Sequence, residues 1–294
     1  MATLRELKGR IGSVASSEKI TGAMKMISSA KMHRAEADLR RLLPFRSQIE
    51  TIIGNLLSAD AEFSSPLTEE REVKRVGIVV LGSDDGLCGG YNITIFKDLL
   101  ARLKECREKW GEDVDFTVYT VGRKIHKAVA KLQDPHLTEV NDENVNSKSG
   151  GDVIKGFASM IAGKFLSGEL DTVQLLYMNF QSVSRQRVRY EQYIPVDAST
   201  FSAEGVKALC RPYIFEPDAA SIFRSVLPMF LLSVMQEVFT ENRASEQAAR
   251  IMAMQSANDN AKNLLEQLQL EYNKLRQQSI TTELLDIIGG QVKN

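Results

Sequence analysis

The chain has 294 residues, of which 43% are hydrophobic and 26% charged, and its formal net charge is −1. These values are ordinary for a globular protein of one or two domains. The three cysteines form no Cys-x-x-Cys pair, which argues against a disulfide framework or a zinc site. Positive charge is concentrated in residues 1–48, where ten Lys and Arg accompany four Asp and Glu. Because no aromatic residues are interleaved there, we expect this segment to meet an acidic protein surface rather than nucleic acid.

The first element is a long helix predicted for residues 4–57, with a seam of positions in alternating steps of three and four. This seam is apolar at both ends and polar from Glu18 to Ser28. In that middle part the apolar residues move to a neighbouring stripe, formed by Ile20, Met24 and Ile27. Pro44 is expected to kink the helix or restart it.

The pattern then changes to that of an α/β domain over residues 73–217. In chain order it predicts a buried strand at 73–81, helix 91–110, strand 116–121, helix 123–132, helix 152–166, strand 171–180 and an antiparallel edge strand at 187–196. Residues 58–72 read as a polar linker, 134–150 as a polar loop and 198–217 as irregular. The βαβαβ order predicts a parallel, Rossmann-like sheet.

A Gly-rich turn, Gly82–Gly90, follows the first strand, where phosphates often bind. It fits neither a P-loop nor the GxGxxG fingerprint, and Asp84 and Asp85 would repel phosphate. We therefore interpret it as a tight turn where backbones pack closely, with Cys88 as a small buried side chain rather than a nucleophile. The three histidines show no metal-ligand spacing: His33, His126 and His136. The sequence thus predicts no catalytic residue, metal or cofactor.

The last element is a second long helix within residues 218–294, beginning near Asp218 or just after Pro228. Its seam reads Ile251, Met254, Asn258, Ala261, Leu265, Leu268, Tyr272 and Leu275. From residue 229 to 288 such a helix would be roughly 90 Å long at 1.5 Å per residue. The predicted fold is therefore an antiparallel two-helix coiled coil, formed by segments 1–57 and 218–294, with the α/β domain inserted. The alternative is that both helices lie on the surface of one larger α/β body.

Four segments together resemble the gamma subunit of the rotary proton-driven ATP synthase, of the bacterial type. They are EKITGAMKMISSAKM (Glu18–Met32), GSDDGLCGGYN (Gly82–Asn92), SEQAARIMAMQSANDNA (Ser245–Ala261) and YNKLRQQSITTELLDIIGG (Tyr272–Gly290). The resemblance covers nearly the whole chain. The sequence departs from the family pattern at Gly22, Asp85, Asn258 and Gly290.

The resemblance implies a non-catalytic central-stalk rotor that couples proton transport to ATP synthesis or hydrolysis on beta. The implied partners are three alpha and three beta subunits, the epsilon subunit and the membrane rotor ring of c subunits, without nucleic acid. Arg276 and Gln277 match the positions that hydrogen-bond a beta subunit. The segment facing an acidic loop of beta is matched by Met24, Lys25, Met26 and Lys31. The apolar residues of the tip suit a bearing: Leu284, Ile287 and Ile288.

The implied location is the cytoplasmic side of the cell inner membrane, as a peripheral part of the complex without direct membrane insertion. The richest apolar run, Val226–Met235, is too short to span a bilayer. Two other functions remain open. A dinucleotide-binding oxidoreductase with coiled-coil arms would bind nucleotide, and a non-rotating coiled-coil tether would pair symmetrically between chains.

Overall fold

The computed structural model describes residues 3–57, 65–197, 201 and 215–291. The chain divides into two compact units. One consists of residues 1–29 with 250–294, and the other of residues 30–249. The described parts of the first unit are called the helix pair below, and the second unit contains the sheet.

Both long helices are present. Helix α1 spans Leu4–Leu57, and the last helix, α5, spans Ala219–Gln291. The first therefore has the predicted bounds, and the second begins at the earlier of the two predicted starts. Pro44 lies inside α1 without ending it, so the expected restart does not occur. The missing backbone N–H removes one hydrogen bond, while Ile49 and Ile53 anchor the following turns in the core.

Within the helix pair, α1 and α5 run antiparallel. Lys25 Nζ donates to Gln255 Oε1, and further along α5 Asn258 Nδ2 donates to the carbonyl of Glu18 at 2.7 Å. Sequence numbers therefore rise on one helix as they fall on the other. The eight seam positions predicted on α5 are all buried or half-buried: Ile251, Met254, Asn258, Ala261, Leu265, Leu268, Tyr272 and Leu275. The predicted antiparallel pairing and its seam are confirmed.

The second unit is built on a five-stranded sheet with strand order β3-β2-β1-β4-β5. Its elements are β1 Arg75–Leu81, α2 Tyr91–Trp110, β2 Asp115–Val121, α3 Arg123–Val129, β3 Leu137–Val140, α4 Gly151–Leu166, β4 Thr172–Ser182 and β5 Arg185–Ile194. Strands β1 to β4 are parallel, and β5 returns antiparallel beside β4. The predicted Rossmann-like sheet with an antiparallel edge is confirmed.

Two short elements depart from the sequence prediction. Strand β3 lies inside the predicted polar loop and pairs with residues 116–119 of β2. It is a four-residue edge strand whose residues are half-buried or exposed, so it carries no apolar run that a pattern could detect. A short 3₁₀ helix, Pro66–Thr68, lies within the predicted linker. Most of the segment expected to be irregular, 198–217, lies outside the described residues.

Both faces of the sheet are covered. Helices α2 and α3 pack on one face. The other is covered by α4 together with the C-terminal part of α1 and the N-terminal part of α5. This double cover explains why β1 is buried at every position after Arg75 and reads as a continuous apolar run.

Helix α5 is the one described helix that is long and apolar enough to cross a membrane by length and composition, with a window of mean hydropathy 1.4. Within that window, 56% is buried inside the protein. Burial of this kind is typical of the core helix of a folded domain.

Candidate partner-binding surface

The middle of α1 has its polar side chains turned inward and its apolar side chains turned outward. The seam positions from Glu18 to Ser28 are buried or half-buried, whereas Ile20, Met26 and Ile27 are exposed. Met26 is 70% exposed. Large apolar side chains in solvent are a common mark of a surface that meets a partner. Of the neighbouring stripe seen in the sequence, Ile20 and Ile27 therefore face outward, whereas Met24 is half-buried.

The four residues that the resemblance matches to the contact with an acidic loop of beta differ in exposure. Met26 and Lys31 are exposed, so both side chains are accessible within the chain. Met24 and Lys25 are half-buried. Lys25 is also hydrogen-bonded to Gln255 on α5, which ties its ammonium group to the helix pair.

Near the end of α5 the side chains of Arg276 and Gln277 are exposed. Within the described part of the chain, neither side chain makes a hydrogen bond or ion pair. The backbone carbonyl of Gln277 accepts from Thr281 Oγ1 at 2.8 Å, as a threonine one helical turn later commonly does. The guanidinium and the amide are therefore available to an external acceptor or donor.

The terminal turns of α5 carry an apolar surface. Leu284, Ile287 and Ile288 are all exposed, with Ile287 at 62%. Leu285, which the sequence interpretation did not single out, is exposed as well. Exposure on consecutive positions means that this surface extends around much of the helix, since adjacent residues are about 100° apart.

The Gly-rich turn after β1 is a close approach of two backbones. A Cβ added at Gly82 would lie 2.7 Å from Ile125 Cβ, and one added at Gly122 would lie 3.0 Å from the Gly82 carbonyl carbon. Gly122 also has a backbone φ of +109°, a conformation that residues with a side chain rarely adopt. The tight-turn interpretation accounts for these glycines without a ligand.

The amides around this turn already have acceptors. Asp84 accepts from the backbone N–H groups of Arg123 at 3.1 Å and Ser147 at 3.0 Å. Asn92 Oδ1 accepts from the N–H of Ser83 at 3.0 Å. A phosphate would have to displace these side chains, because anion sites at strand–helix turns use the same donors.

Helix α5 also fills the crevice at the carboxyl end of β1, where Rossmann-like folds bind dinucleotides. Asn242 Nδ2 donates to the carbonyl of Gly82 at 3.0 Å, and Tyr91 OH donates to Asn242 Oδ1 at 2.6 Å. Asn242 is buried. Nothing in the local sequence marked this asparagine, since its partners are about 150 residues away.

No three His, Cys, Asp or Glu side chains in the described ranges, 3–57, 65–197, 201 and 215–291, are grouped as a metal site would require. Cys88 is buried, with its Sγ 3.7 Å from Ser83 Oγ. His126 Nδ1 lies 2.6 Å from Glu139 Oε1 and His136 Nδ1 lies 2.9 Å from Asp115 Oδ1, so these two histidines face separate carboxylates.

A partly buried charged network in the second unit was not predicted. Arg46 of α1 pairs with Glu237 of α5 at 2.8 Å and with Glu50 at 2.8 Å. Nearby, Asn179 Nδ2 donates to Glu241 Oε2 at 2.8 Å. Burial, with the charge of Glu237 adding to it, raises the pKa of Glu241 to about 7. Two glutamates four residues apart, Glu237 and Glu241, in a helical segment that also carries a long apolar run were the available sequence signal.

Comparison with known proteins gives a consistent family. A family model described as ATP synthase matches residues 3–292. The ATP synthase gamma chain of Phocaeicola vulgatus is 42% identical over 292 residues, covering 99% of this chain and 100% of the relative. The ATP synthase gamma chain of Bacteroides fragilis is 40% identical over 296 residues, with 99% and 100% covered.

Solved structures share the fold at lower identity. A chain from the Euglena gracilis mitochondrial ATP synthase, described as OSCP/F1/c-ring in rotational state 3, has a TM-score of 0.64 at 18% identity. The match covers 98% of this chain and 93% of that one. A chain from the central stalk and c-ring of the Tetrahymena thermophila mitochondrial enzyme has a TM-score of 0.57 at 22% identity, covering 81% and 99%.

Proposed function

The chain belongs to the ATP synthase gamma family, and we propose that it is the central-stalk rotor subunit of a proton-driven ATP synthase. It transmits rotation of a membrane ring to catalytic sites on beta subunits and so couples proton transport to ATP synthesis or hydrolysis. The observation that carries this proposal is the antiparallel helix pair with apolar residues on its outer surface. Two antiparallel helices joined by a packed seam resist torsion, and an apolar outer surface can slide against a partner without breaking fixed hydrogen bonds.

The proposed assembly has three alpha subunits, three beta subunits and one copy of this chain, with the epsilon subunit and the c-subunit ring below. The similarity to gamma chains over the whole chain, at 40–42% identity, supports this composition. The excess of positive charge in residues 1–48 suits contact with an acidic surface of beta.

The roles of individual residues follow from exposure. We assign Arg276 and Gln277 to hydrogen bonds with a beta subunit, which their exposed, unengaged side chains can form. Met26 and Lys31 are assigned to the contact with an acidic loop of beta. Met24 and Lys25 lie in the same segment and are half-buried. We assign them to the same contact, with a smaller share of the surface that meets beta.

The bearing is assigned to Leu284, Ile287 and Ile288, with Leu285 added from its exposure. An apolar surface around most of the helix gives a contact whose energy changes little with rotation angle, because apolar attraction is non-directional. In contrast, a charged hydrogen bond, as proposed for Arg276, contributes roughly 1.5–3 kcal/mol and holds one angular position.

The chemistry itself is assigned to beta, so this chain is non-catalytic. Support comes from the Gly-rich turn, where the Ser83 amide donates to Asn92 and the Asp84 carboxylate accepts from the amides of Arg123 and Ser147, and from Asn242, which donates to the carbonyl of Gly82 in the crevice beside it. An oxidoreductase would need this crevice open to a dinucleotide.

We further propose that segments 1–57 and 218–294 form the axle and that segment 73–217 forms its α/β domain. As part of a membrane-associated complex, the chain would be peripheral, on the cytoplasmic side of the inner membrane. Helix α5 contributes its apolar window to the protein core, which supports assembly without insertion into the bilayer.

Native mass spectrometry of the affinity-tagged chain, extracted from membranes with mild detergent, tests the assignment. The expected species contains three alpha subunits, three beta subunits and one copy of this chain. Two copies paired with each other would support the coiled-coil tether instead. Stoichiometric dinucleotide binding by the purified chain would support the oxidoreductase.

A further inference from the structure

The seam of the helix pair contains a polar layer. On α1 it is formed by the four seam positions from Glu18 to Ser28, which are buried or half-buried. On α5 the facing position is Asn258, which is 8% exposed. Buried polar side chains add little of the apolar burial that stabilises paired helices. In coiled coils, such residues can instead specify the register of the helices.

Asn258 makes directional contacts across the seam. Its Nδ2 donates to the Glu18 carbonyl at 2.7 Å and to Thr21 Oγ1 at 3.2 Å. One turn earlier on α5, Gln255 Oε1 accepts from Lys25 Nζ. Two hydrogen-bonded layers, one helical turn apart on both helices, define the axial position of α5 against α1.

Two of these contacts, Asn258–Thr21 and Gln255–Lys25, join side chains and therefore depend on the register, whereas the contact to the Glu18 carbonyl is made to the backbone. A slip of one heptad toward the N-terminus of α1 would place the Asn258 amide opposite Val14 instead of Thr21, and the Val14 side chain accepts no hydrogen bond. The following seam, Ala261–Leu275, is apolar or aromatic at every predicted position and would tolerate such a slip. Gly22 lies against the same amide, since a Cβ added there would be 3.4 Å from Asn258 Nδ2.

We propose that Asn258 sets the register of the helix pair and is thereby a positioning residue for coupling. A single buried asparagine can specify register in a coiled coil at a cost in stability. With the register fixed, the exposed Arg276 on α5 keeps a constant axial position and angular phase relative to the exposed Met26 on α1. The register follows from the contacts in the helix pair, and its consequence for coupling rests on the proposed function.

Pulsed EPR distances in the full chain test the register. Spin labels are placed at Lys8 and Asn260, which are exposed on the two helices, after all three native cysteines have been replaced by alanine. The parent should give one distance. Asn258→Leu should add a second population displaced by up to about 10 Å, because a slip of one heptad is an axial shift of seven residues at 1.5 Å per residue. Asn263→Leu, at an exposed position on the same helix, is the matched control and should leave one distance.

Thermal unfolding separates register-setting from simple stabilisation. Asn258→Leu is expected to keep or raise the melting temperature while it splits the distance distribution, because it adds apolar burial and removes specificity. A lower melting temperature with one unchanged distance would overturn the proposal.

Coupling is measured in the assembled complex as proton pumping per ATP hydrolysed. Asn258→Leu should lose pumping per ATP, and Asn263→Leu should not. Two distances with an unchanged ratio would overturn the positioning role. If the chain is not found in an ATP synthase complex at all, the proposed function fails, whereas the distance measurement still decides the register.

Discussion

Replacing Glu241 by glutamine should stabilise the second unit at neutral and alkaline pH. The carboxylate is 6% exposed and accepts one hydrogen bond, from Asn179. Its charged surroundings come from β5 (Arg189, Glu191) and α5 (Glu237), and the neutral Tyr177 of β4 also interacts with it. Arg46 of α1 pairs with Glu237. Glutamine has nearly the same shape, and its Oε1 can still accept from Asn179, so the substitution removes charge without leaving a cavity.

The magnitude follows from linkage. The pKa of Glu241 is raised from 4.5 to about 7 by burial and by the neighbouring Glu237. Between these two values the folded protein holds a proton that the unfolded chain has released, so wild-type stability falls as the pH rises through this window. Since each pKa unit corresponds to about 1.4 kcal/mol, the full loss is about 3 kcal/mol. The variant should be free of this loss.

Urea unfolding at pH 4.5 and pH 8 provides the assay, with fluorescence of the single tryptophan, Trp110, as the signal. Trp110 packs beside the core under α2, so it reports on the unit that contains Glu241. The variant should match wild type at pH 4.5 and exceed it by about 2–3 kcal/mol at pH 8. Glu143→Gln, at an exposed position, should change stability by less than about 0.5 kcal/mol. Equal effects of Glu241→Gln at both pH values would refute the argument.

Three further substitutions test the surface and the turn. Arg276→Ala should lower proton pumping per ATP hydrolysed without preventing assembly, because it removes the proposed hydrogen bond to a beta subunit, worth roughly 1.5–3 kcal/mol. Assembly is measured on the purified complex, and pumping after the complex is reconstituted in vesicles. Gly82→Ala should destabilise the chain by about 1–3 kcal/mol in urea unfolding, because its Cβ would lie 2.7 Å from Ile125 Cβ. Tyr91→Phe should cost about 1–2 kcal/mol in the same assay, because it removes the buried 2.6 Å bond to Asn242.

Matched controls make these outcomes specific. Lys274→Ala, at an exposed position two residues from Arg276, should leave coupling unchanged, and an equal loss in both variants would contradict the role of Arg276. Gly156→Ala lies in a helix with open space around its Cβ and should stabilise by about 0.5–1 kcal/mol. If it destabilised as much as Gly82→Ala, close backbone approach would not be the cause. Tyr272→Phe, half-buried on α5, should have little effect.

The sequence alone was sufficient for elements whose pattern is local and repeated. The three-four spacing from Ile251 to Leu275 predicted the α5 seam, because a helix places every third or fourth residue on one side whatever lies opposite. The continuous run of β1 similarly indicated burial on both faces. Strand β3 could not be found this way, since its four residues depend on backbone pairing with β2 rather than on their own apolarity.

The tertiary structure decided what the polar residues do. A sequence pattern showed that the α1 seam turns polar after Glu18, but only the folded helix pair brings Asn258 to that backbone, 240 residues away. The same holds for Asn242 in the crevice beside Gly82 and for the raised pKa of Glu241. Helix and strand periodicity are properties of neighbouring residues, whereas hydrogen bonding and desolvation depend on which distant groups the fold brings together.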